Sequence, residues 1–181
     1  MDFPLQPTHL KNEFVQLVPL ELSDFERLFK AAADPLIWEQ HPNTNRYQLN
    51  DFKNYFEGAV LSRGAFIVLD TATLEPIGSS RFCNYNEEKS TIEIGYTFLA
   101  RDHWGATYNT ALKTLMLNHA FNFVNHVQFF IGENNIRSQK SIVRLGAVKV
   151  GEAEVEYYGE PMMKNFIYQI DKVNWMANQI Q

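Results

Sequence analysis

The sequence lacks the features that mark disulfide-bonded, secreted and membrane-spanning proteins. Cys83 is the only cysteine among 181 residues, so no disulfide can form within the chain, and a reducing compartment is favoured. The N-terminal segment does not show the charged-then-apolar order of a signal peptide, and no apolar run approaches the ~18 residues that cross a bilayer. We therefore expect a soluble, cytoplasmic protein without a membrane partner.

Positive charge is also scarce. The chain has 16 Lys and Arg against 21 Asp and Glu, which gives a net charge of −5. Because binding to a nucleic-acid backbone needs a basic face, no nucleic-acid partner is expected. An acidic surface suits a cationic substrate such as an amine, although it guides approach rather than chemistry. The five histidines lack metal-ligand spacing, so no metal is expected either.

Hydrophobic residues make up 45% of the chain, which is enough for one domain with a full core over residues 1–181. The apolar patterns predict an α/β (α+β) fold, with a mixed, mostly antiparallel sheet of about seven strands flanked by about four helices. The predicted strands are Phe14–Leu20, Ala65–Asp70, Ile77–Tyr85, Thr91–Leu99, Val127–Ile131, Lys149–Tyr157 and Lys164–Ile170. The predicted helices begin at or near Ser23, Asn50, Asn109 and Asn135.

Polar residues and short links predict how these elements start and connect. Ser23 and Glu26 form a capping box at the first helix, and Asn50 caps the second. Gly146 should close the last helix as a C′ glycine. Short polar links between the three central strands predict an antiparallel meander, and the helix before Val127–Ile131 predicts a parallel crossover. The last two strands should form a hairpin.

A glycine turn at Trp104–Asn109 leads into the helix that should begin near Asn109. A helix N-terminus leaves backbone N–H groups unpaired and carries partial positive charge, so it favours an anion such as a pyrophosphate. The sequence contains neither the dinucleotide pattern G-x-G-x-x-G nor the nucleoside-triphosphate pattern G-x-x-x-x-G-K-[ST]. The turn is therefore either an ordinary loop between a strand and a helix or a phosphate site for another cofactor.

Glu93 lies in the middle of a largely apolar predicted strand. Strict alternation places it on one face together with Gly95 and Thr97, and the large apolar side chains, Phe98 among them, on the other. A buried carboxylate costs free energy unless it is solvated, paired or protonated. Glu93 is therefore either a partly exposed or ion-paired structural residue, or a general base that faces a cleft.

The last predicted helix carries two groups of polar residues. Asn135 and Ser138 suit an N-cap and the third position after it, but ligands in α/β sheets also collect where a strand ends, as one does here. We weigh capping and ligand contact equally. Arg137, Lys140 and Arg144 form a basic stripe, which is either a solvated face or a counter-charge for a phosphate.

Three more residue sets have ordinary structural interpretations. Glu152, Glu154 and Glu156 alternate along one strand, as expected for a solvated edge, and a lining for a cationic substrate is the alternative. His119 belongs to an apolar helical stripe and should be a hydrogen-bonded core residue. Cys83 has no histidine near it in the sequence and should be buried.

Taken together, the segment Ile92–Gly151 resembles the GNAT acetyltransferase superfamily. It is closest to the RimJ/RimL-like branch, which contains ribosomal-protein N-terminal acetyltransferases. The matching strings are Glu93–Tyr96, Trp104–Thr110 and Asn135–Ala147, and the predicted order of elements agrees over nearly the whole chain.

The resemblance implies that the protein binds acetyl-CoA and transfers its acetyl group to a primary amine. Backbone groups at the end of the Glu93 strand would pair with the pantetheine arm, and the turn amides would hold the pyrophosphate. The Asn-x-x-Ser helix would lie beside the thioester. The cofactor-binding residues implied in this way are Thr97, Phe98, Leu99, Trp104, Gly105, Ala106, Thr107, Tyr108, Asn109, Thr110, Asn135 and Ser138.

The same resemblance implies catalytic roles. Glu93 occupies the position of a general base, Glu156 that of an alternative base, and Ser138 that of a serine proposed to protonate the leaving thiolate. The base is therefore Glu93, Glu156 or water. Many members place a Tyr acid where this chain has Ile142, so the proton donor is Ser138, Tyr157 or water.

The turn departs from the family pattern Q/R-x-x-G-x-G/A. Trp104, Thr107 and Asn109 replace the patterned residues, and the Cβ of Thr107 disfavours a positive φ. We therefore expect the turn to reach a phosphate through ordinary φ values or to bind it more weakly.

We expect direct transfer without a covalent acyl-enzyme, because Cys83 lies on the wrong strand to act as the nucleophile. The acceptor is either a protein N-terminal α-amine or a small-molecule amine, held between the loop Pro35–Tyr47 and the hairpin around Gly159. The alternative function is that of a non-catalytic acyl-CoA-binding or sensing domain. The protein would be a monomer or a homodimer.

Overall fold

The strands of the chain form one sheet. The computed structural model describes residues 3–178. The strands are β1 (Val15–Pro19), β2 (Ala65–Asp70), β3 (Pro76–Asn86), β4 (Thr91–Leu99), β5 (His126–Gly132), β6 (Val148–Glu156) and β7 (Met162–Asp171). Their order is β1-β2-β3-β4-β5-β7-β6, and only β4 and β5 are parallel. The predicted seven-stranded mixed sheet, its meander, the parallel crossover and the final hairpin are confirmed.

Six α-helices flank the sheet in the described chain, which is more than the four that the sequence pattern predicted. They are α1 (Phe25–Ala32), α2 (Pro35–Trp38), α3 (Leu49–Leu61), α4 (Ala106–Ala120), α5 (Ile136–Arg144) and α6 (Lys172–Asn178). The two additional helices, α2 and α6, are too short for helical periodicity to reveal. No helix within residues 3–178 is both long and apolar enough to cross a membrane.

The predicted N-terminal caps are wrong for two helices. A 3-10 turn precedes α1, and the capping box there joins Glu21 and Asp24 instead of starting at Ser23. The N-cap of α3 is Gln48 rather than Asn50. Several polar residues stand near each boundary, and tertiary packing decides which of them caps the helix.

The helices cover both faces of the sheet and produce two core clusters. On one face α4 packs on β1–β5, with Leu112 and Met116 fully buried. On the other face α1, α2 and α3 surround Trp38 and Phe52. His119 is 6% exposed and its Nε2 lies 3.2 Å from the carbonyl oxygen of Pro4, which confirms the prediction of a hydrogen-bonded core histidine.

The two parallel strands at the centre of the sheet separate partway along their length. β4 and β5 are paired from Thr91 and His126 to Glu93 and Gln128, and no further. Beyond that point β4 continues with β3 and β5 continues with β7, so a gap opens between them. The facing strand edges carry backbone N–H and C=O groups without a strand partner, which a ligand can use.

A β-bulge interrupts β4 beside this gap. The register between β3 and β4 shifts between Ser79 and Arg81, and Tyr96 has a left-handed φ of 54°. An aromatic residue keeps such a conformation only where its surroundings hold it. Here the Tyr55 hydroxyl of α3 donates a 2.7 Å hydrogen bond to the Tyr96 carbonyl.

The bulge reverses the alternation of side chains in the second half of β4. Thr97 turns towards α4, where its Oγ1 lies 2.8 Å from the Ser80 hydroxyl. Phe98 packs on Trp38 in the opposite cluster, with ring centroids 4.9 Å apart. The prediction that Thr97 shares the face of Glu93 is therefore wrong, because one extra residue inverts every side chain that follows it.

Candidate active site

A cleft occupies the gap between β4 and β5. The first turns of α4 and α5 form one part of its wall, and the segment around α2 together with the start of the β6–β7 hairpin forms another. Most of the residues that the sequence nominated for the site line this cleft. They are Glu93, Thr97, Phe98, Leu99, Trp104, Gly105, Asn109, Asn135 and Ser138.

The remaining nominated residues of the turn do not line the cleft. Ala106, Thr107 and Thr110 have exposed side chains in the first turns of α4. Tyr108 turns towards the sheet, where its hydroxyl donates a 2.7 Å hydrogen bond to Asp70 Oδ2. Ala106, Thr107 and Tyr108 can therefore contribute backbone N–H groups rather than side chains, whereas the N–H of Thr110 lies beyond the first turn of α4.

Glu156 also lies outside the cleft. It is exposed on β6, the edge strand of the sheet, together with Glu152 and Glu154. The neighbouring Tyr157 lines the cleft instead. The position agrees with a solvated strand edge, and a role for Glu156 as a base stays a prediction.

Gly105 leaves the start of α4 open to an anion. It is the N-cap, with φ 115° and ψ −168°, and no side chain caps the helix. A Cβ built on it would meet no atom within 4 Å, so the approach to the helix is open. The first N–H groups of a helix have no partner within it, and they favour a phosphate group. The start of α4 can therefore accept an anionic group such as a phosphate.

The departure at Thr107 does not disturb this turn. α4 begins at Ala106, so the prediction of a start near Asn109 is wrong and Thr107 lies in the first helical turn. The positive φ of the segment falls on Gly105, and Thr107 has no positive φ. The Cβ of Thr107 is compatible with helical backbone, and the first-turn amides keep their usual geometry.

Trp104 and Arg137 bring the two helical walls together. Trp104 Nε1 donates to the Leu99 carbonyl at 2.9 Å, and the Arg137 guanidinium lies 4.0 Å from the Trp104 ring centre. Arg144 also lines the cleft, whereas Lys140 does not. Two of the three charges in the basic stripe therefore face the site.

Asn135 and Ser138 combine the two roles that the sequence left open. Asn135 is the N-cap of α5, and its Oδ1 accepts a 3.1 Å hydrogen bond from the Ser138 amide. The predicted cap is confirmed, as is the closing Gly146, which has φ 95°. Both residues also line the cleft, so the cap of α5 lies in the cleft wall.

Glu93 is a buried carboxylate at the closed end of the gap. It is 7% exposed, and its Oε2 accepts a 2.7 Å hydrogen bond from Asn84 Nδ2. Burial raises the pKa of Glu93, and this outweighs the opposing effects of Asn84, Cys83 and Arg81. No lysine or arginine in residues 3–178 forms an ion pair with it. The carboxylate is therefore neither well exposed nor ion-paired, and its role as a general base stays a prediction.

Two backbone features that the sequence analysis did not identify position the Glu93 carboxylate. A Cβ on Gly95 would lie 2.8 Å from Glu93 Oε1, so only glycine lets the carboxylate fold back along the strand. Asn84 has φ 54° beside a second register shift in β3. The glycine two residues after Glu93 was a visible signal, whereas nothing in the sequence marked Asn84.

Lys113 is a further cleft residue that the sequence analysis missed. It lies on α4 and is 3% exposed, and its Nζ lies 2.5 Å from Thr97 Oγ1 and 3.4 Å from Ser80 Oγ. Burial lowers the pKa of Lys113 from its ordinary value of 10.5 to about 7. A single lysine in a helix ordinarily indicates a solvated position, so only the tertiary structure shows its burial.

Away from Gly105, an ion pair joins two chain segments that border the cleft. The Arg46 guanidinium makes two bonds to Glu160, Nε to Oε1 at 3.1 Å and Nη2 to Oε2 at 2.8 Å. It also lies 5.7 Å from the Tyr157 ring centre. The loop before α3 and the hairpin after β6 are thereby held together beside Glu93.

The other ionisable groups of the cleft stay uncharged near neutral pH, the arginines apart. Burial, with help from two nearby arginines, lowers the pKa of His41 to about 3. Burial raises the pKa of Tyr96 to about 12 and raises that of Tyr157 further. Glu93 and Lys113 are consequently the groups whose shifts bring their titration towards neutral pH.

Residues 15–148 match the family model described as an acetyltransferase (GNAT) domain. The match covers most of the chain and includes β4, α4 and the whole of α5, the elements that build the cleft. A comparison with curated proteins found no match.

Several solved structures have the same fold. A probable GNAT-family acetyltransferase from Chromobacterium violaceum ATCC 12472 superposes with a TM-score of 0.81 at 18% identity, over 94% of this chain and 90% of that one. A GCN5-related N-acetyltransferase from Brucella melitensis gives 0.80 at 17% identity, over 95% and 84%. Mycobacterium smegmatis RimJ in complex with CoA-disulfide gives 0.67 at 16% identity, over 88% and 82%. At these identities the likeness shows the fold.

Proposed function

The chain belongs to the GNAT acetyltransferase family, and from this premise we propose that it transfers an acetyl group from acetyl-CoA to a primary amine by direct attack. The observation that carries the proposal is the pairing of two features in one cleft. The open N-terminus of α4 at Gly105 suits the pyrophosphate, and the buried carboxylate of Glu93 lies at the closed end of the same gap.

In this proposal Glu93 is the general base. A free α-amine has a pKa near 7.7–8.0 and a lysine amine one near 10.4, so most acceptor arrives protonated and must lose a proton. Glu93 takes that proton, and the neutral amine attacks the thioester carbon. Backbone N–H groups along the unpaired edge of β4 stabilise the developing oxyanion, an effect of ~3 kcal/mol per donor.

A direct reaction is favoured over a covalent acyl-enzyme. Cys83 lies opposite Glu93 in the β3–β4 ladder, and burial together with the nearby Glu93 carboxylate raises the pKa of its thiol. A thiol that holds its proton is a poor nucleophile. The amine itself is therefore the attacking group.

The RimJ/RimL-like branch and a single domain over residues 1–181 belong to the same proposal. The similarity to M. smegmatis RimJ supports the branch through fold alone. The acceptor is either a protein N-terminal α-amine or a small-molecule amine. Its pocket is bounded by the joined segments at Arg46 and Glu160, whose charges are already paired with each other.

Two measurements test the proposal. Acetyl-CoA at ~100 times its dissociation constant should raise the free energy of unfolding by ~2.7 kcal/mol, seen as a higher Tm. A panel of peptide and small-molecule amines should then identify an acceptor through release of CoA. A thermal shift without release for any amine would favour a non-catalytic acyl-CoA-binding domain, and the lack of any shift would contradict both functions.

A further inference from the structure

Lys113 is a buried amine in the cleft with no carboxylate partner. Its Nζ bonds to two hydroxyl oxygens, those of Thr97 and Ser80, and the Phe129 ring centre lies 5.8 Å away on β5. A buried lysine normally pairs with an acid or points its ammonium to solvent, because an unpaired buried charge is costly. Lys113 does neither in the described chain, and because it lines the cleft, its amine is accessible to a group that arrives there.

The charged groups of the surrounding elements do not occupy this amine. Glu93 on β4 and Arg81 on β3 lie towards the other face of the sheet, and Arg137 and Arg144 belong to α5. None of them forms an ion pair or hydrogen bond with Lys113, and burial alone accounts for its shifted pKa. The amine can therefore exchange a proton with a ligand without breaking an ion pair.

The position of Lys113 suits the thioester end of a bound acetyl-CoA. It stands eight residues beyond Gly105 on α4, about 12 Å along the helix from the phosphate site. Its hydrogen bond reaches Thr97, beside the bulge where the edge of β4 is free. Phe129 marks the facing edge of β5. Lys113 thus lies on the α4 side of the gap between β4 and β5. The free edges of these two strands would hold the pantetheine arm and the thioester.

The other candidate proton donors of the cleft are poorly suited. The Tyr157 hydroxyl already donates to Asn165 Oδ1 at 2.8 Å, and burial raises its pKa. The His41 ring is neutral near pH 7. Ser138 can offer a hydrogen bond, but an alcohol is a much weaker acid than a thiol. Ile142 lines the cleft as a buried apolar side chain and offers no proton.

We propose that Lys113 is the catalytic acid that protonates the departing CoA thiolate. The assignment rests on the proposed acetyl transfer. The acceptor nitrogen forms its bond to the carbonyl carbon, the carbon–sulfur bond breaks, and the electron pair stays on sulfur. Lys113 Nζ gives its proton to that sulfur, Glu93 holds the first proton taken from the acceptor ammonium, and the nitrogen releases its second proton to water as the amide forms. Exchange with water then returns Glu93 to the carboxylate and Lys113 to the ammonium.

The first test is kinetic and compares Lys113→Met with Lys113→Arg. Because general acids contribute typically ~10²–10⁴-fold and a thiolate is a good leaving group, we expect kcat to fall about 10- to 100-fold in Lys113→Met. Arginine keeps the charge but does not give up its proton. Lys113→Arg should therefore also lose kcat, whereas a purely electrostatic role would be rescued by it.

The pH profile adds a readout that a structural role would not change. A donor must be protonated, so wild-type kcat should fall as the pH rises above the pKa of Lys113. That alkaline decline should vanish in Lys113→Met. A kcat equal to that of the wild type in either variant would overturn the assignment. The same alkaline decline in all three proteins would also overturn it.

A binding measurement tests the contact with sulfur without turnover. Wild-type protein should bind CoA more tightly than desulfo-CoA at pH 7, because the CoA sulfur and the Lys113 amine share a proton in the complex. Lys113→Met should remove this preference while keeping its affinity for desulfo-CoA. If no amine is acetylated, the proposed function fails and the ratio of these two affinities alone decides: equal ratios in both proteins would contradict a contact between Lys113 and sulfur.

Discussion

The two ends of the cleft are built in opposite ways. The end proposed to bind acetyl-CoA, here called the donor end, lies around Gly105, Lys113 and Ser138 and presents uncapped helix amides, an amine without an acid partner and the free edge of β4. The end proposed to bind the amine, here called the acceptor end, lies around Arg46, Glu93 and Tyr157 and consists of groups already bonded to protein. Arg46 is paired with Glu160, the Glu93 carboxylate accepts from Asn84, and the Tyr157 hydroxyl donates to Asn165.

This difference suggests how each substrate is recognised. The donor end offers polar groups that gain partners when a ligand arrives, so binding there avoids breaking bonds within the protein. The acceptor end has few unpaired groups to offer, and shape together with one proton-accepting carboxylate would select the amine.

The largest expected effect comes from Glu93, the proposed base at the acceptor end. Glu93→Gln keeps the shape but removes the proton acceptor, and we expect kcat to fall about 10²–10³-fold. Wild-type activity should rise with pH as Glu93 loses its proton. Because burial raises the pKa of Glu93, this rise should occur at a higher pH than for an ordinary glutamate. The rise should be flattened in the variant. Steady-state kinetics across pH measures both.

Glu156→Gln is the matched control for that experiment. It makes the same chemical change on the exposed strand β6, outside the cleft. We expect unchanged kcat. Loss of activity in Glu156→Gln with normal kinetics in Glu93→Gln would reverse the assignment of the base.

The next effect concerns the ion pair that builds the acceptor end. Glu160→Gln leaves Arg46 buried without its charge partner, and removal of one member of a buried pair costs about 3 kcal/mol. Urea unfolding should show this loss. The KM for the acceptor should rise, while the Kd for acetyl-CoA stays unchanged because the donor end is untouched.

The control for the ion pair is Glu152→Gln on β6. Glu152 pairs with Lys149 and Lys164 at the surface, where each side chain is more than 40% exposed. Exposed pairs contribute little to stability, so its unfolding curve and acceptor KM should match those of the wild type. An equal destabilisation in both variants would show that Arg46 and Glu160 have no special role.

The smallest of these effects tests the donor end through its backbone. Gly105→Ala places a Cβ at φ 115°, a conformation that costs a side-chain-bearing residue about 1–3 kcal/mol. Relief of this strain should change the path of the turn and weaken acetyl-CoA binding, as calorimetric titration would show. Gly146→Ala is the control, because Gly146 has φ 95° at the end of α5, away from the cleft. It should lose stability and keep its Kd, whereas weaker binding in both variants would contradict a specific role for Gly105.

Local patterns predicted much of the fold and part of the candidate site. The bounds of β2 and β4 agree with the structure, and the caps at Asn135 and Gly146 were correct because each depends on neighbours within a few residues. The predicted start of α4 was wrong because a helix begins where its cap geometry allows. The predicted face of Thr97 was wrong because the bulge in β4 depends on the partner strand.

The chain itself determined the order of elements, the glycine before α4 and a glutamate followed two residues later by glycine in an apolar strand. These are local properties, fixed by period, turn chemistry and the need to bury apolar surface. Tertiary structure alone decided that β4 and β5 separate beyond Glu93, that Arg46 meets Glu160 across 114 residues, and that Lys113 is buried against Thr97. Such features join segments distant in sequence, and only the folded chain brings their groups together and buries them.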